Sequence, residues 1–342
     1  MDNLINILKT PTPSGCEINL YGILNEIFST TPFQSRIDNI GNIQYIYNPE
    51  ADFKIVLEAH IDEIGFMVNF IDDGGLIYVK PIGTIDCSIL NGVRVRVFHN
   101  NIPYLGLLYS RLSSQQIPSG YDGVELVVDI GLRGKQVKEL ISIGDFAVFD
   151  HTVDILNDAY VMSPGIDNRG CVSALVSALQ SLNAEDLKNV GILLCLSARE
   201  EIGIVAIAPY IEEFNPQVII SFDSCFVSDA VCQRARNVGN VVLDGGPIVC
   251  FDPTCSNIFN QSIVEIAKKA KIEIQQYVNI YPGRGLNSTR LSTVAHRSKV
   301  TSILLPTRYI HSPYEMCSIR DYNALKSLTV CIIKHCKSLI MQ

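Results

Sequence analysis

No two cysteines in this chain are spaced C-x-x-C, although it contains eleven. A cysteine-built zinc site is therefore not expected, and any metal would be held by oxygen and nitrogen. No apolar run approaches the ~20 residues that a membrane-spanning helix requires, so no membrane association is expected. The first residues, MDNLINILKTPTPSG, lack a basic stretch followed by an apolar one, and so do not read as a secretory signal. The scattered, odd-numbered cysteines then read as reduced thiols of a cytoplasmic protein, several of them buried. Dense basic clusters are missing too. AKKAK (267–271) and AHRSK (295–299) are short and read as solvated faces, and 27 basic against 35 acidic side chains leave a net charge of −8. That balance argues against a nucleic-acid or anionic-membrane partner.

What is present is a globular composition, 47% hydrophobic and 18% charged over 342 residues. It is long enough to bury one large core or two smaller ones. No internal repeat or low-complexity segment interrupts it. DNLINILK and EINLYGILNEIFS carry apolar residues at helical spacing around a TPTPSG turn. FKIVLEAHIDEIGFMV (53–68) reads as one buried strand. From 69 to 158 the texture changes to short strand-like runs (LIYVKPI, GVRVRVF, ELVVDIG, DFAVFD) separated by DDGG, HNN and PSGYDG, with one short helix near 134–141. Strands at that spacing predict a small β-barrel or sandwich.

Beyond 159 the pattern alternates. GCVSALVSALQSL, Val205 to Ile211, SIVEIAKKAKI and NALKSLTVCIIKHCKSL read as helices. VGILLCLSAR, PQVIISFDS and KVTSILLPTR read as strands. The expected fold is α/β: a mixed, mostly parallel sheet covered by helices, with an inserted small β-barrel domain. Residues 1–68 and 159–342 form the main domain and 69–158 the insertion.

Ligands of open α/β sheets gather at the carboxyl ends of strands. His60 and Asp62 follow IVLEA, Glu200 and Glu201 follow ILLCLSAR, and Asp223 follows VIISF. His311 stands near the end of SILLPTRYI, and Asp167 lies in the loop before the helix at 170. Each alone has a bland explanation, such as a helix cap for Asp167, a turn for Asp223 or an ion pair with Arg199 for Glu201. Yet only six histidines exist, and two sit at strand ends beside carboxylates. His60, Asp167, Glu201, Asp223 and His311, with one carboxylate shared, suit two divalent ions at three protein ligands each. Three carboxylates against two dications leave +1, which a bridging hydroxide neutralises. If Glu200 and Glu201 occupy successive extended positions, their side chains point apart, so that one ligates while the other faces the water. Asp62, two residues from His60, suits the carboxylate that orients the imidazole. His99, His151, His296 and His335 lack suggestively placed carboxylates, and Cys195 and Cys225 read as buried fillers.

The blocks AHIDEIGFMV, SPGIDNRGC, SAREEIGIVAIA, ISFDS and RYIHSPYEM resemble those of the tetrahedral, or glutamyl, aminopeptidases. These are cocatalytic dinuclear metallopeptidases, some labelled endoglucanases or deblocking aminopeptidases. The resemblance extends over nearly the whole length, through PSGCE, DNIGN and DIGL. It implies a first metal on His60, Asp167 and Asp223, and a second on Asp167, Glu201 and His311 with Asp167 bridging. It also implies Glu200 as general base, Asp62 as the carboxylate behind His60, and a water shared between the ions as the nucleophile. The substrates would be peptides with a free N-terminus. The assembly would be a homo-oligomer, a dodecamer in this family, with contacts through the β insertion.

Three departures stand out. Asp167-Asn168 replaces a pair of aspartates, GRGLNSTRL (283–291) replaces a Gly-Thr-Asp motif, and GTIDCSILNGVRV is looser than usual. Zinc, cobalt or manganese all fit mixed N/O ligands. Two alternatives share the fold: a metal-dependent deacylase of a small amide, and a catalytically silent assembly or binding protein. Glycosidase chemistry fits poorly, because adjacent glutamates on one strand do not flank one bond and the histidines would have no role.

Overall fold

The computed structural model describes residues 1–110, 125–204, 206–229, 239–279 and 286–340. Eleven strands form one mixed sheet. Its order runs Gln34–Ile37, Ile43–Tyr47, Gly191–Ser197, Lys54–His60, Val218–Phe226, Lys299–Arg308, Met316–Ser318, Tyr160–Met162 and Asp154–Leu156. Ile248–Phe251 pairs beside Lys299–Arg308, and Gln275–Val278 pairs with Ile248–Phe251. The central four strands, from Gly191–Ser197 to Lys299–Arg308, are mutually parallel. They are buried along nearly their whole length, as strands covered on both faces must be.

Strand alternation divides the apolar side chains between two cores. Ile55, Leu57, Leu194, Ile220 and Ile303 face the larger one, covered by the helices Asp2–Leu8, Tyr21–Phe28, Ile166–Gln180, Asn257–Lys269 and Ile319–Ile340. Val56, Leu193, Cys195 and Ile219 face the other, covered by Ala208–Phe214 and Asn287–Ser292. Helix Ile166–Gln180 is almost wholly buried, with its charged residues confined to its first turn. Among the described residues no helix is long and apolar enough to cross a membrane.

The second unit is a closed six-stranded barrel, in the order Gly65–Ile71, Ile77–Ile82, Leu126–Asp129, Ile102–Ser110, Val93–His99 and Phe146–Phe149. Phe66, Val95, Val97, Leu108, Val128 and Phe149 fill it. Helix Gly134–Leu140 lies where the sequence places one.

Several elements differ from expectation. The apolar stretch 53–68 is two strands, one in the sheet and one in the barrel, because 61–64 turns out of the sheet. There Ile61 N donates to Ser197 O and Glu63 N to Thr12 O. The barrel therefore starts at Gly65, and Asp154–Leu156, expected in the insertion, already pairs in the large sheet. The helix expected over 205–211 runs Ala208–Phe214 instead, with Pro209 in its first turn, the position that proline favours; Val205 lies outside the described residues. Ile248–Phe251 and Gln275–Val278 were not expected; four residues are too few to display an alternation. Of the segment 283–291, only 286–291 is described, and the turn PSGYDG lies outside the described residues.

Where the chain leaves and re-enters the sheet, a buried carboxylate, a guanidinium and an imidazole meet. Glu63 Oε2 lies 2.8 Å from Arg169 Nη2 and 3.0 Å from His151 Nε2. Thr12 N donates to Glu63 Oε1 at 2.7 Å. Thus His151 does have a carboxylate partner, one that is 88 residues away along the chain and was invisible to local reading; His99 likewise pairs with Asp145 at 2.9 Å. Removing one member of a buried ion pair leaves the other uncompensated. Arg169→Met should therefore cost about 3–5 kcal/mol of stability, read as a lower denaturation midpoint. A midpoint unchanged from that of the parent would show that the junction does not depend on this cluster.

Candidate active site

The sheet splits where the site lies. Strand Val218–Phe226 pairs with Lys54–His60 only as far as Ser221 opposite Glu58. Continuing that register by two residues brings His60 opposite Asp223, in a gap where the strands have separated. His60 Nε2 stands 3.6 Å from Asp223 Oδ1. Asp223 is not a strand end, as the sequence implied, but lies three residues inside a strand whose neighbour has turned away.

Asp167 enters from the start of helix Ile166–Gln180, where it and Asn168 depart from helical dihedrals and are joined by a cis peptide bond. Gly165 precedes it at φ +69°, and a Cβ there would stand 1.8 Å from Arg169 Nη2. Only glycine fits against that guanidinium, which also bonds the carbonyls of Gly165 and Pro164 and so holds the loop. Asp167 then faces both ways. Its Oδ1 lies 3.3 Å from His60 Nε2, and its Oδ2 3.5 Å from His311 Nε2. His311, at φ +64° after strand Lys299–Arg308, also lies 3.3 Å from Glu201 Oε2.

Two groups of three ligand atoms result, His60–Asp167–Asp223 and Asp167–Glu201–His311, the atoms of each lying within 4.8 Å of one another. The imidazole–carboxylate separations of 3.3–3.6 Å exceed the usual 2.7–3.2 Å of N–H···O bonds. Two ligand atoms on a tetrahedral ion at ~2.1 Å stand roughly 3.4 Å apart. The donor atoms therefore fit two small divalent ions better than they fit each other.

The two glutamates are not in extended positions. Strand Gly191–Ser197 has ended, Arg199 takes φ +64°, and Glu200–Ile202 is a short 3-10 turn. The turn still separates their roles, with Glu201 toward His311 and Glu200 3.8 Å from Arg290 Nη1. Four successive N–H groups hold this turn by donating to side chains. Ala198 N donates to Asn42 (2.9 Å), Arg199 N to Glu17 (3.1 Å), Glu200 N to Asp62 Oδ1 (2.9 Å) and Glu201 N to Asp62 Oδ2 (3.1 Å). Ser14 Oγ donates to the same Asp62 carboxylate at 2.6 Å. This adds a second part for Asp62 beside the one expected behind His60. His60 Nδ1 is nearer the Asp62 backbone carbonyl, at 3.1 Å, than its carboxylate, at 3.5 Å. The side chain chiefly shapes the glutamate turn.

Glu315 does the same across the site. Buried, it accepts from Asp167 N at 2.9 Å and from His311 N at 2.8 Å, tying two ligand-bearing loops together. Glu58 is buried beneath His60 and accepts from Ser197 Oγ, Ser221 Oγ and Asn287 Nδ2. Through Asn287, and through Arg290 beside Glu200, the unusual 286–291 segment reaches the site. Sequence reading passed over Glu17, Glu58, Glu315 and Arg290. Glu315 lies within RYIHSPYEM and was within sight; the others meet the site only through distant pairings.

The electrostatics follow from burial. It pushes Glu200 up to about 8, with the charges of Asp223 and Glu201 adding and His60 opposing. It pushes Asp223 up to about 7 against the pull of His60. Burial would lower His311, but Glu201 outweighs it and holds the imidazole up at about 10. Asp167 is drawn down despite burial, by both histidines. A cavity of about 230 Å³ opens beside these groups, lined further by Cys225, Phe226, Tyr277, Leu286, Leu304 and Ile310 and by the polar Ser224 and Asn279.

Residues 41–328 match the family described as M42 glutamyl aminopeptidase. The chain is 26% identical to the lysyl aminopeptidase of Pyrococcus furiosus, covering 97% of this chain and 96% of that protein. An aminopeptidase structure from the archaeon Desulfurococcus kamchatkensis superposes with a TM-score of 0.87 at 26% identity, covering 97% and 94% of the two chains. The Pyrococcus horikoshii TET1 peptidase, which can assemble into a tetrahedron or a large octahedral shell, superposes with a TM-score of 0.82 at 27% identity, covering 97% and 98%.

Asp62→Ala should leave two N–H donors of the turn unpaired, at about 1–3 kcal/mol each, while Asp62→Asn keeps an acceptor oxygen and should lose less. Thermal midpoints of the two variants check this. Equal losses would mean that the carboxylate does not hold the turn.

Proposed function

The chain belongs to the M42 glutamyl aminopeptidases, and on that premise we propose that it removes N-terminal residues from peptides with two divalent ions. Asp167 shared between two ligand triads, with Glu200 beside them, is the observation that carries this reading. His60, Asp167 and Asp223 would hold one ion, and Asp167, Glu201 and His311 the other. Zinc, cobalt and manganese all suit these donors. When bound, the pair would supply a water acidic enough to attack at neutral pH and an electrophile for the peptide carbonyl.

The chain's own residues do the rest. Asp167 directs one oxygen to each histidine and so sets the spacing of the triads. Glu200, largely withdrawn from solvent and raised toward neutrality, takes a proton from the attacking water at its carboxylate and returns it to the leaving amine. Asp62 and Glu17 keep its backbone from shifting, which matters because a misplacement of ~1 Å can cost 10²-fold in rate. The free α-amino group of the substrate is drawn to the acidic wall of the site, favouring exopeptidase over endopeptidase cleavage.

We also assign the barrel, the insertion expected over 69–158, to assembly into a homo-oligomer. Leu105, Leu107 and Tyr109 line up outward on strand Ile102–Ser110, an exposed apolar row on an otherwise acidic protein. The likeness to a shell-forming peptidase supports this assignment.

Chelator-stripped protein should cleave unblocked amino acid p-nitroanilides only when Zn²⁺, Co²⁺ or Mn²⁺ is restored. Glu200→Gln should lower kcat by about 10²–10⁴ while still binding metal. The acid limb of kcat/KM should lie above 4.5, the ordinary value for a glutamate. Cleavage of acylated amides in place of free aminoacyl anilides would favour the deacylase instead.

Metal binding gives a second check. A ligating histidine must be neutral, and His311 holds its proton up to about 10 when no ion is present. Ion binding at pH 7 should therefore release protons and weaken as pH falls, measurable by calorimetry in buffers of different ionisation enthalpy. Binding without proton release would exclude His311 as a ligand.

A further inference from the structure

The cavity beside the ligand triads has two unlike walls, and the second has no part in the proposed chemistry. Every charged side chain among the described residues lining it belongs to the first: His60, Asp167, Glu200, Glu201, Asp223 and His311. The rest of the described lining carries no charge and is mainly apolar, built from Phe226, Tyr277, Leu286, Leu304 and Ile310, with Cys225 and the uncharged polar residues Ser224 and Asn279. It is also backed by core. Leu304 is 1% exposed and Cys225 8%, and both pack with Val227, Val241, Ile248 and Cys250 in a buried cluster.

We propose that this wall is the recognition pocket for the N-terminal side chain of the substrate, and that it selects uncharged apolar residues of the size of leucine, methionine or phenylalanine. The inference rests on the aminopeptidase reading and adds its substrate class. About 230 Å³ holds one side chain, not a length of peptide. Among the described lining residues, a lysine side chain would have to compete with the metal ions for the same carboxylates. A glutamate would face those carboxylates with no cation of the described wall to meet it. Either charge would be desolvated without compensation. An apolar side chain instead gains with each methylene withdrawn from water. Phe226, at the end of strand Val218–Phe226 and 39% exposed, is the member of the wall best placed for substitution without disturbing the core.

The test is a panel of leucyl, methionyl, phenylalanyl, alanyl, lysyl and glutamyl p-nitroanilides with metal-restored enzyme. It is paired with calorimetric titration of free L-leucine, L-lysine and L-glutamate as product ligands. Leucyl, methionyl and phenylalanyl substrates should exceed alanyl by at least about tenfold in kcat/KM, and lysyl and glutamyl by about a hundredfold. Phe226→Asp should shift the lysyl-to-leucyl ratio upward by at least about tenfold, and Phe226→Ala should lower leucyl cleavage without raising lysyl. Lysyl or glutamyl cleavage equal to leucyl, or a ratio untouched by Phe226→Asp, would overturn the pocket while leaving the aminopeptidase reading intact. If no anilide is cleaved yet leucine binds and lysine does not, the pocket stands and the activity reading fails. Absence of both cleavage and selective binding overturns both.

Discussion

Four carboxylates and two imidazoles crowd into one largely dry space where the parallel sheet splits, and that concentration of charge governs the rest of the molecule. Left to themselves, Asp167, Glu200, Glu201 and Asp223 would repel one another and take up protons, which is the direction in which burial drives Glu200 and Asp223. The fold keeps them together at separations that suit bound cations better than direct hydrogen bonds. Such a concentration of buried ionisable groups is expected of functional centres, which strain the rules of burial.

Holding such a site requires a stiff frame, and the frame is itself built from buried acids. Asp62 and Glu17 hold the N–H groups of residues 199–201, Glu315 those of Asp167 and His311, and Glu58 the hydroxyls beneath His60. These carboxylates act as acceptors for backbone and hydroxyl groups, so the loops carrying the ligands are tied to the strands and not left to their own torsional freedom. The Glu63–Arg169–His151 cluster extends this frame to the barrel. The guanidinium that secures the Asp167 loop therefore also secures the junction between the two units. The loop that carries Asp167 and the barrel are linked through one buried side chain.

Much of the plan was legible in the linear chain. Continuous apolar runs at KIVLEA, GILLCLS and VIISF announce buried parallel strands, and the interrupted texture between them announces the barrel. The polar residues at the ends of those runs picked out His60, Asp62, Glu200, Glu201 and Asp223, while Asp167 came from the loop before a helix and His311 from beyond SILLPTR. Local reading failed where the decisive contact lies far away in sequence. It joined Lys54–His60 to Gly65–Ile71, since nothing in IDEI says that Glu63 turns inward to meet Arg169 and His151. It extended the strand of Ser197 through both glutamates, since the left-handed Arg199 is imposed by Asp62 and Glu17 from other elements.

By itself, then, the sequence determined the layered α/β architecture, the oxygen and nitrogen character of the site and the residues able to bind metal. These depend on periodicity and on side-chain type, both local properties. Only the tertiary structure decided which carboxylate faces which imidazole, that Asp62 braces the glutamate turn, and that the cavity's second wall is mainly apolar. Those outcomes depend on the gap opened when two strands part after Ser221, and a gap belongs to the arrangement of strands, not to any one of them.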